Sequence, residues 1–221
     1  MGGLWAVNTG RGFDHALEGI GIFGAPYEPD FLLTTEREIF LRTGEGDWRP
    51  DDHWNETCRQ RHQELFSRAD HIFSKIHELA ASSPDVTLIH EEGELVGLLT
   101  SSEAVMEEIA GFILREAADL PEFHFQRNTV YLRFCHRDYH KGAALGELCR
   151  RLAIGREEVF AGGDHFNDLS MLDGKYAAFP CCPSNAIDEV KSVVRSAGGY
   201  VASNVAADGV AEAWKFFTSR P

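Results

Sequence analysis

The chain has 221 residues, 35 of them acidic and 21 basic, for a formal net charge of −14. That length admits one sizeable core or two small ones. The acidic balance lacks the basic footprint that a nucleic-acid partner requires, yet it leaves room for a phosphate site built from a few local donors. No apolar run approaches the roughly 20 residues needed to span a membrane. The start, Met1-Gly2-Gly3-Leu4-Trp5-Ala6-Val7-Asn8, has no basic leader, and Ala6 stands where an acylation signal wants Ser or Thr, so neither leader nor lipid anchor is expected. Cys58, Cys135, Cys149, Cys181 and Cys182 are odd in number and without a paired spacing, which predicts reduced thiols and a cytoplasmic setting.

In chain order, residues 4–7 form a short apolar run that stops at Asn8-Thr9-Gly10-Arg11, and apolar positions 13, 16, 17 and 20 follow at helix period. Residues 21–29 are Gly- and Pro-rich and read as connection. Strands are predicted over 30–35 and 38–41, around a polar turn, and a loop over 43–50. Residues 52–79 carry a long helical pattern, divisible at the polar stretch 59–64, that Ser82-Ser83-Pro84 ends. Hairpins are predicted from 86–90 with 95–99 and from 123–125 with 129–134. Between them, Thr100-Ser101-Ser102-Glu103 has capping-box spacing before a helix to about 114.

From His140 the rhythm becomes alternating. Helices are expected over 143–152, 169–172, 186–194 and 205–217, with short strands over 159–161, 176–179 and 200–201. The prediction is an α/β protein: a Rossmann-like, mostly parallel core sheet from residues 1–42 and 137–221, interrupted by an inserted α+β unit over 43–136. In such sheets ligands collect beyond the carboxyl ends of strands. Two polar clusters fall there, Thr9-Gly10-Arg11 and Asp164 to Asp168.

Gly163-Asp164-His165-Phe166-Asn167-Asp168 sets two carboxylates and an amide directly after an apolar strand. Such oxygen ligands suit Mg²⁺, which takes one or two carboxylates and keeps water and phosphate oxygens. A tight turn with Asn167 or Asp168 as a helix cap is the alternative. Thr9 and the free N–H groups after it could hold a phosphate, or cap a helix. Lys141 opens a helix, where a cation is unfavourable unless an anion lies near. The alternative there is a solvated lysine, as it is for Arg11.

The segment Gly163 to Leu172 resembles the fourth motif of the haloacid-dehalogenase-like hydrolases, in the subclass with a large inserted cap, type IIB. Lys141-Gly142-Ala143-Ala144-Leu145 resembles that subclass's third motif, and Asn8-Thr9-Gly10-Arg11 its second. Asn185-Ala186, and Asn204 with Asp208-Gly209-Val210-Ala211, look like its C-terminal signatures. Residues 5–11 and 29–39 look most like sucrose-phosphate phosphatases. The resemblance implies a Mg²⁺-dependent phosphatase acting on a sugar phosphate. Thr9, Gly10, Arg11, Lys141 and Asn167 would bind the phosphorylated substrate, with Thr9 and Lys141 catalytic, and Asp164 and Asp168 would serve the metal.

One departure from the family is plain. No two aspartates in the chain stand two positions apart, so the family's Asp-x-Asp nucleophile motif and the first core strand that carries it are absent from these residues. Three expectations follow: a natural start upstream of Met1, a relative that binds a phosphosugar or acts as a scaffold without hydrolysing, or a strand supplied by a partner chain. Loss of a central strand would leave two sheet edges unpaired.

Overall fold

The short apolar run before the first polar turn forms strand β1 (Ala6–Asn8), and helix α1 (Phe13–Phe23) returns the chain to a parallel neighbour, β2 (Phe31–Thr34). The computed structural model describes residues 3–24, 27–91 and 93–219. Part of the expected connection over 21–29, the tip of the first expected hairpin at position 92, and Met1 and Gly2 lie outside the described residues. The chain divides into two units, Met1–Glu56 with His140–Pro221, and Thr57–Tyr139. The expected boundaries lay at 42 and 137.

In the first unit β2 is buried along its whole length, as an apolar strand covered on both faces should be. It pairs antiparallel with β3 (Glu38–Arg42), Leu33 opposite Ile39, and β3 with β4 (Trp48–Pro50). The expected loop over 43–50 therefore contains a strand. Only three residues long and ending in proline, β4 carries no alternating pattern to reveal it. The turn joining β2 to β3 places Thr35 and Glu36 at φ of 49° and 71°. Two successive left-handed residues match the twist of a tight hairpin, a position where Asn and Gly are usual.

Helix α2 (Asp52–Ser67) crosses from one unit to the other, and α3 (Asp70–Ser82) follows. The break falls at Arg68-Ala69 and not in the polar stretch 59–64. Cys58, His62 and Leu65 are buried at helix spacing, while Arg59, Gln60 and Arg61 are exposed, so that stretch is a solvated face of one continuous helix. In the second unit β5 (Val86–Glu91) and β6 (Glu94–Thr100) form the first hairpin; α4 (Glu103–Glu116) follows, then β7 (Phe123–Asn128) and β8 (Tyr131–His136). These strands make one antiparallel sheet in the order β5-β6-β8-β7. Helix α4 is capped by Ser102, whose side chain accepts the Val105 N–H at 3.3 Å; Thr100 instead donates its hydroxyl to the Ser102 carbonyl. Ile72, Ile76, Leu98, Met106, Ile113, Leu132 and Phe134 fill the core between helices and sheet. His136 belongs to this unit's packing: its N–H donates to buried His62 Nε2 at 3.0 Å.

The first unit resumes with α5 (Lys141–Leu152), β9 (Phe160–Gly162), α6 (Leu169–Leu172), β10 (Phe179–Cys182), α7 (Asp188–Ser196), β11 (Tyr200–Val201) and α8 (Ala206–Thr218). Strand β10 lies three residues beyond the start of the expected strand over 176–179. Tyr176 does not enter a sheet, because its ring lies against α5 at Gly142 and Gly146, where a Cβ would stand 3.1 Å and 2.4 Å from it.

The core is not one mostly parallel sheet. It is an α/β core of two sheets, a mixed one in the order β1-β2-β3-β4 and a parallel one in the order β11-β10-β9. Helix α5 packs on β2 and β3, α6 packs on β9 and β10, and the two helices pack on each other. The edges that border the break are therefore β1 and β9. Among the described residues β1 pairs only with β2, and β9 only with β10. The break falls where the expected first core strand would lie.

The C-terminal signature residues hold the last helix. Asn185 Oδ1 accepts the Ala206 N–H at 2.7 Å. The Glu212 carboxylate accepts from the backbone of Ser203 and Asn204, at 3.0 Å and 2.9 Å, and from the Tyr200 hydroxyl at 2.8 Å. Led by the Ser203 backbone N–H, these donors hold Glu212 down to about 2, from 4.5. A carboxyl depressed by folding adds stability that is complete above its unfolded pKa and is lost as pH falls through the folded one. Stability against urea should therefore decline between about pH 5 and 2. Glu212→Gln should flatten that decline, which unfolding midpoints measured across the range will check.

Candidate functional site

The site is assembled from the ends of β1 and β9, the β2–β3 turn and the start of α5. Asn8, at the end of β1, donates from Nδ2 to the Lys141 carbonyl at 3.1 Å and approaches Met171 Sδ at 3.8 Å. The loop after it is zipped to the β2–β3 turn. Thr9 N–H donates to the Leu33 carbonyl at 2.8 Å, Glu36 N–H to the Thr9 carbonyl at 3.1 Å, and Thr35 N–H to the Arg11 carbonyl at 2.9 Å. Thr9 Oγ1 accepts the Arg11 N–H at 3.2 Å. Helix α1 begins only at Phe13, after Gly12, so Thr9 is not its cap. The Arg11 residue is exposed.

Lys141 opens α5 behind the cap residue His140, whose Nδ1 accepts the Ala143 N–H at 3.1 Å. Gly142 N–H donates to Ser170 Oγ at 3.1 Å, and a Cβ on Gly142 would stand 2.1 Å from the Ser170 carbonyl oxygen. Only glycine permits that approach, and it draws the start of α5 onto α6. The Lys141 side chain is thereby buried. Its Nζ donates to Asp168 Oδ1 at 2.7 Å and lies 4.0 Å from Glu36 Oε2. The carboxylates answer the puzzle of a cation at a helix start: the anions are within the protein.

Beyond β9 the acidic cluster folds about Asp168. Its Oδ2 accepts the N–H groups of Asp164 and His165, at 2.9 Å and 3.1 Å. Asp168 is 5% exposed and Asn167 6%. Asn167 donates from Nδ2 to Glu36 Oε1 at 3.0 Å. Asp164 is exposed, and its carbonyl accepts the Ile187 N–H at 3.1 Å.

Six of the seven sequence-derived residues thus converge. Asp164, Asp168 and Lys141 share hydrogen bonds or an ion pair, and Asn167, Thr9 and Gly10 join them through Glu36. Arg11 contributes its backbone to the loop. Asn8 and Ser170 stood inside the matched motifs without a role assigned, and one contributor, Glu36, escaped the site reading. Glu36 sits in a turn that looked merely polar, and what betrays it is a bulky charged residue where a tight hairpin turn favours Asn or Gly.

The donor set bears on a metal. Among the described residues no three His, Cys, Asp or Glu side chains are grouped to hold one. Asp168 is already engaged by a lysine and two amides, which leaves Asp164 as the carboxylate open to a cation. One open and one supporting carboxylate suit Mg²⁺ that keeps most of its sphere for water and ligand oxygens, and do not suit an all-protein metal centre. Asp168→Ala would leave Lys141 buried with its shortest ion pair gone and two amides without an acceptor. A loss of about 3 kcal/mol is expected, read as a lower urea midpoint.

A core of α/β layers with its polar groups gathered at strand ends, interrupted by an α+β insertion, is the architecture of a hydrolase superfamily. The chain belongs to the haloacid dehalogenase-like hydrolases, whose family model matches residues 31–214. It is similar to the sucrose-phosphatase of Synechocystis sp. PCC6803, solved in complex with sucrose and phosphate, with a TM-score of 0.70 and 19% identity over 96% of this chain and 84% of that one. It is also similar to a haloacid dehalogenase-like hydrolase of Bacillus subtilis, with a TM-score of 0.63, 15% identity, and 98% and 78% of the two chains covered. A subclass IIB sugar phosphatase superposes with a TM-score of 0.60, 16% identity, and 96% and 85% covered. These likenesses establish a shared fold. In sequence, a candidate phosphatase of Streptococcus pyogenes serotype M6 is 27% identical over 128 residues, 52% of this chain and 45% of that protein. The chain thus matches less than half the length of that curated relative. No described helix is long and apolar enough to cross a membrane.

Proposed function

We propose that this site belongs to a Mg²⁺-dependent phosphatase of phosphorylated sugars, and that these 221 residues bind the phosphoryl group without the means to cleave it. The observation that carries the reading is the buried Lys141, 2.7 Å from Asp168 and with its own carbonyl bonded by Asn8, the residue before Thr9. Phosphoryl transfer is mostly positioning and charge stabilisation, so a lysine fixed at a helix start beside the strand ends is the part such chemistry needs. Lys141 would neutralise phosphoryl oxygens, Thr9 and the Gly10 N–H would donate to them, and Asn167 would orient the loop. Arg11 would meet the ligand's outer oxygens. Asp164 would hold Mg²⁺, with Asp168 supporting it; the ion supplies charge neutralisation at the phosphate. The solved sucrose-phosphatase supports a phosphosugar as the ligand class, and the acidic surface makes a nucleic-acid partner unfavourable.

A second reading has its own observation. No Asp-x-Asp occurs in the sequence, and the break between β1 and β9 falls where the family's first core strand is expected. A phosphosugar-binding or scaffold protein derived from a phosphatase needs no nucleophile. The two readings differ in whether a strand carrying that motif, joined upstream or offered by a partner chain, restores turnover.

Two outcomes are expected. The chain as given should release no phosphate from sugar phosphates at a rate distinguishable from Mg²⁺ alone; ordinary turnover in a phosphate-release assay would reject the reading. Lys141→Ala should weaken binding of inorganic phosphate by about tenfold, or about 1.4 kcal/mol. Equal affinities of the two proteins in calorimetric titration would reject the assignment of Lys141.

A further inference from the structure

We infer that Glu36 is a built-in competitor for the phosphate site: its carboxylate occupies the groups that would otherwise receive a phosphoryl anion. This rests on the phosphate-site reading above and adds to it what the site holds in the absence of ligand.

Three independent features point there. First, Glu36 belongs to a hairpin turn, where a glutamate ordinarily extends into water, yet it is 2% exposed. Second, its surroundings are those of an anion site. Oε1 accepts from Asn167 Nδ2 at 3.0 Å, and Oε2 lies 4.0 Å from Lys141 Nζ. The same carboxylate fills the cradle over Gly10, where an added Cβ would stand 2.4 Å from Oε1. Gly10, Lys141 and Asn167 are the residues that the phosphate reading needs, and one side chain meets all three. Third, the backbone is held in an uncommon state to put it there. Glu36 has φ of 71° behind Thr35 at 49°, a pair of left-handed conformations that a glutamate adopts at a cost.

The electrostatic consequence follows from counting charges. Lys141 is buried with two carboxylates, Asp168 and Glu36, so the cluster carries a formal excess of one negative charge. An incoming phosphate adds like charge to a poorly solvated place and must displace Glu36 from Lys141 and Asn167. Asp168 cannot yield instead, because its second oxygen organises the loop through two amides. Glu36, carried on a hairpin turn, is the group that would leave, and its departure would open the cradle over Gly10.

The test is calorimetric titration of the full chain with inorganic phosphate, for the wild type, Glu36→Gln, Glu36→Asn, Lys141→Ala and Glu36→Gln combined with Lys141→Ala. Glu36→Gln keeps an acceptor for Asn167 and removes the charge; phosphate affinity should rise by about tenfold. Glu36→Asn suits the left-handed backbone and withdraws the longer side chain; it should bind at least as tightly as Glu36→Gln and melt no lower than the wild type. In Glu36→Gln combined with Lys141→Ala the gain should vanish, since the competition acts through Lys141. Unchanged affinity in Glu36→Gln and Glu36→Asn, with binding still weakened in Lys141→Ala, would overturn the role of Glu36 and leave the phosphate site standing. A gain that persists undiminished without Lys141 would also overturn it. Absence of phosphate binding in every variant, Glu36→Gln included, would overturn both this inference and the site reading beneath it.

Discussion

A single ammonium group, Lys141 Nζ, organises the polar end of the first unit. Burying a lysine is costly unless charge and hydrogen bonds are supplied around it, and here both come from separate stretches of chain. Asp168 arrives from the loop after β9, Glu36 from the β2–β3 turn, and Asn8 from the end of β1 fixes the lysine's own carbonyl. The pair Gly142 and Ser170 determines how deeply the lysine can sit, because only a glycine lets the start of α5 approach α6 so closely. Small residues and charged ones therefore serve one end. The former permit the approach, and the latter make burial tolerable.

That arrangement also joins two sheets that share no hydrogen-bonded strand. The mixed sheet ends at β1 and the parallel one at β9, and the side chains beyond their carboxyl ends meet at Lys141. The packing of α5 on α6 supplies the apolar side of the same junction, with Ala144 and Leu148 of α5 clustered with β2 and β3, and Leu172 of α6 clustered with Ala161 of the parallel sheet. An unpaired edge in a sheet interior exposes amides and carbonyls that elsewhere find partners. The junction holds these polar side chains close while, among the described residues, β1 and β9 remain sheet edges.

Much of this was legible in the residues. Helix period located α1, α5 and α8 to within a few positions, and the Asp164 to Asp168 cluster announced itself by setting carboxylates straight after an apolar strand. The cation at the head of α5 signalled an anion nearby, although not that the anions were the protein's own. Harder to read were elements whose sequence lacks a repeat to count. Strand β4 is three residues ending in proline, β10 is displaced because Tyr176 covers two glycines of α5, and α2 continues through a polar stretch that is only its wet face.

By itself the sequence determined the α/β alternation, the inserted α+β unit, the family motifs and the lack of Asp-x-Asp, because each of these is carried by neighbours along the chain or by order along it. Only the tertiary structure decided that the core is two sheets, that Asp168 is spent on Lys141 and two amides, and that Glu36 fills the space over Gly10. Those facts depend on contacts between residues far apart in sequence, over 100 positions for Glu36 and Asn167. Local pattern cannot report them, since the energy that selects them is the burial of charge in a place the whole fold creates.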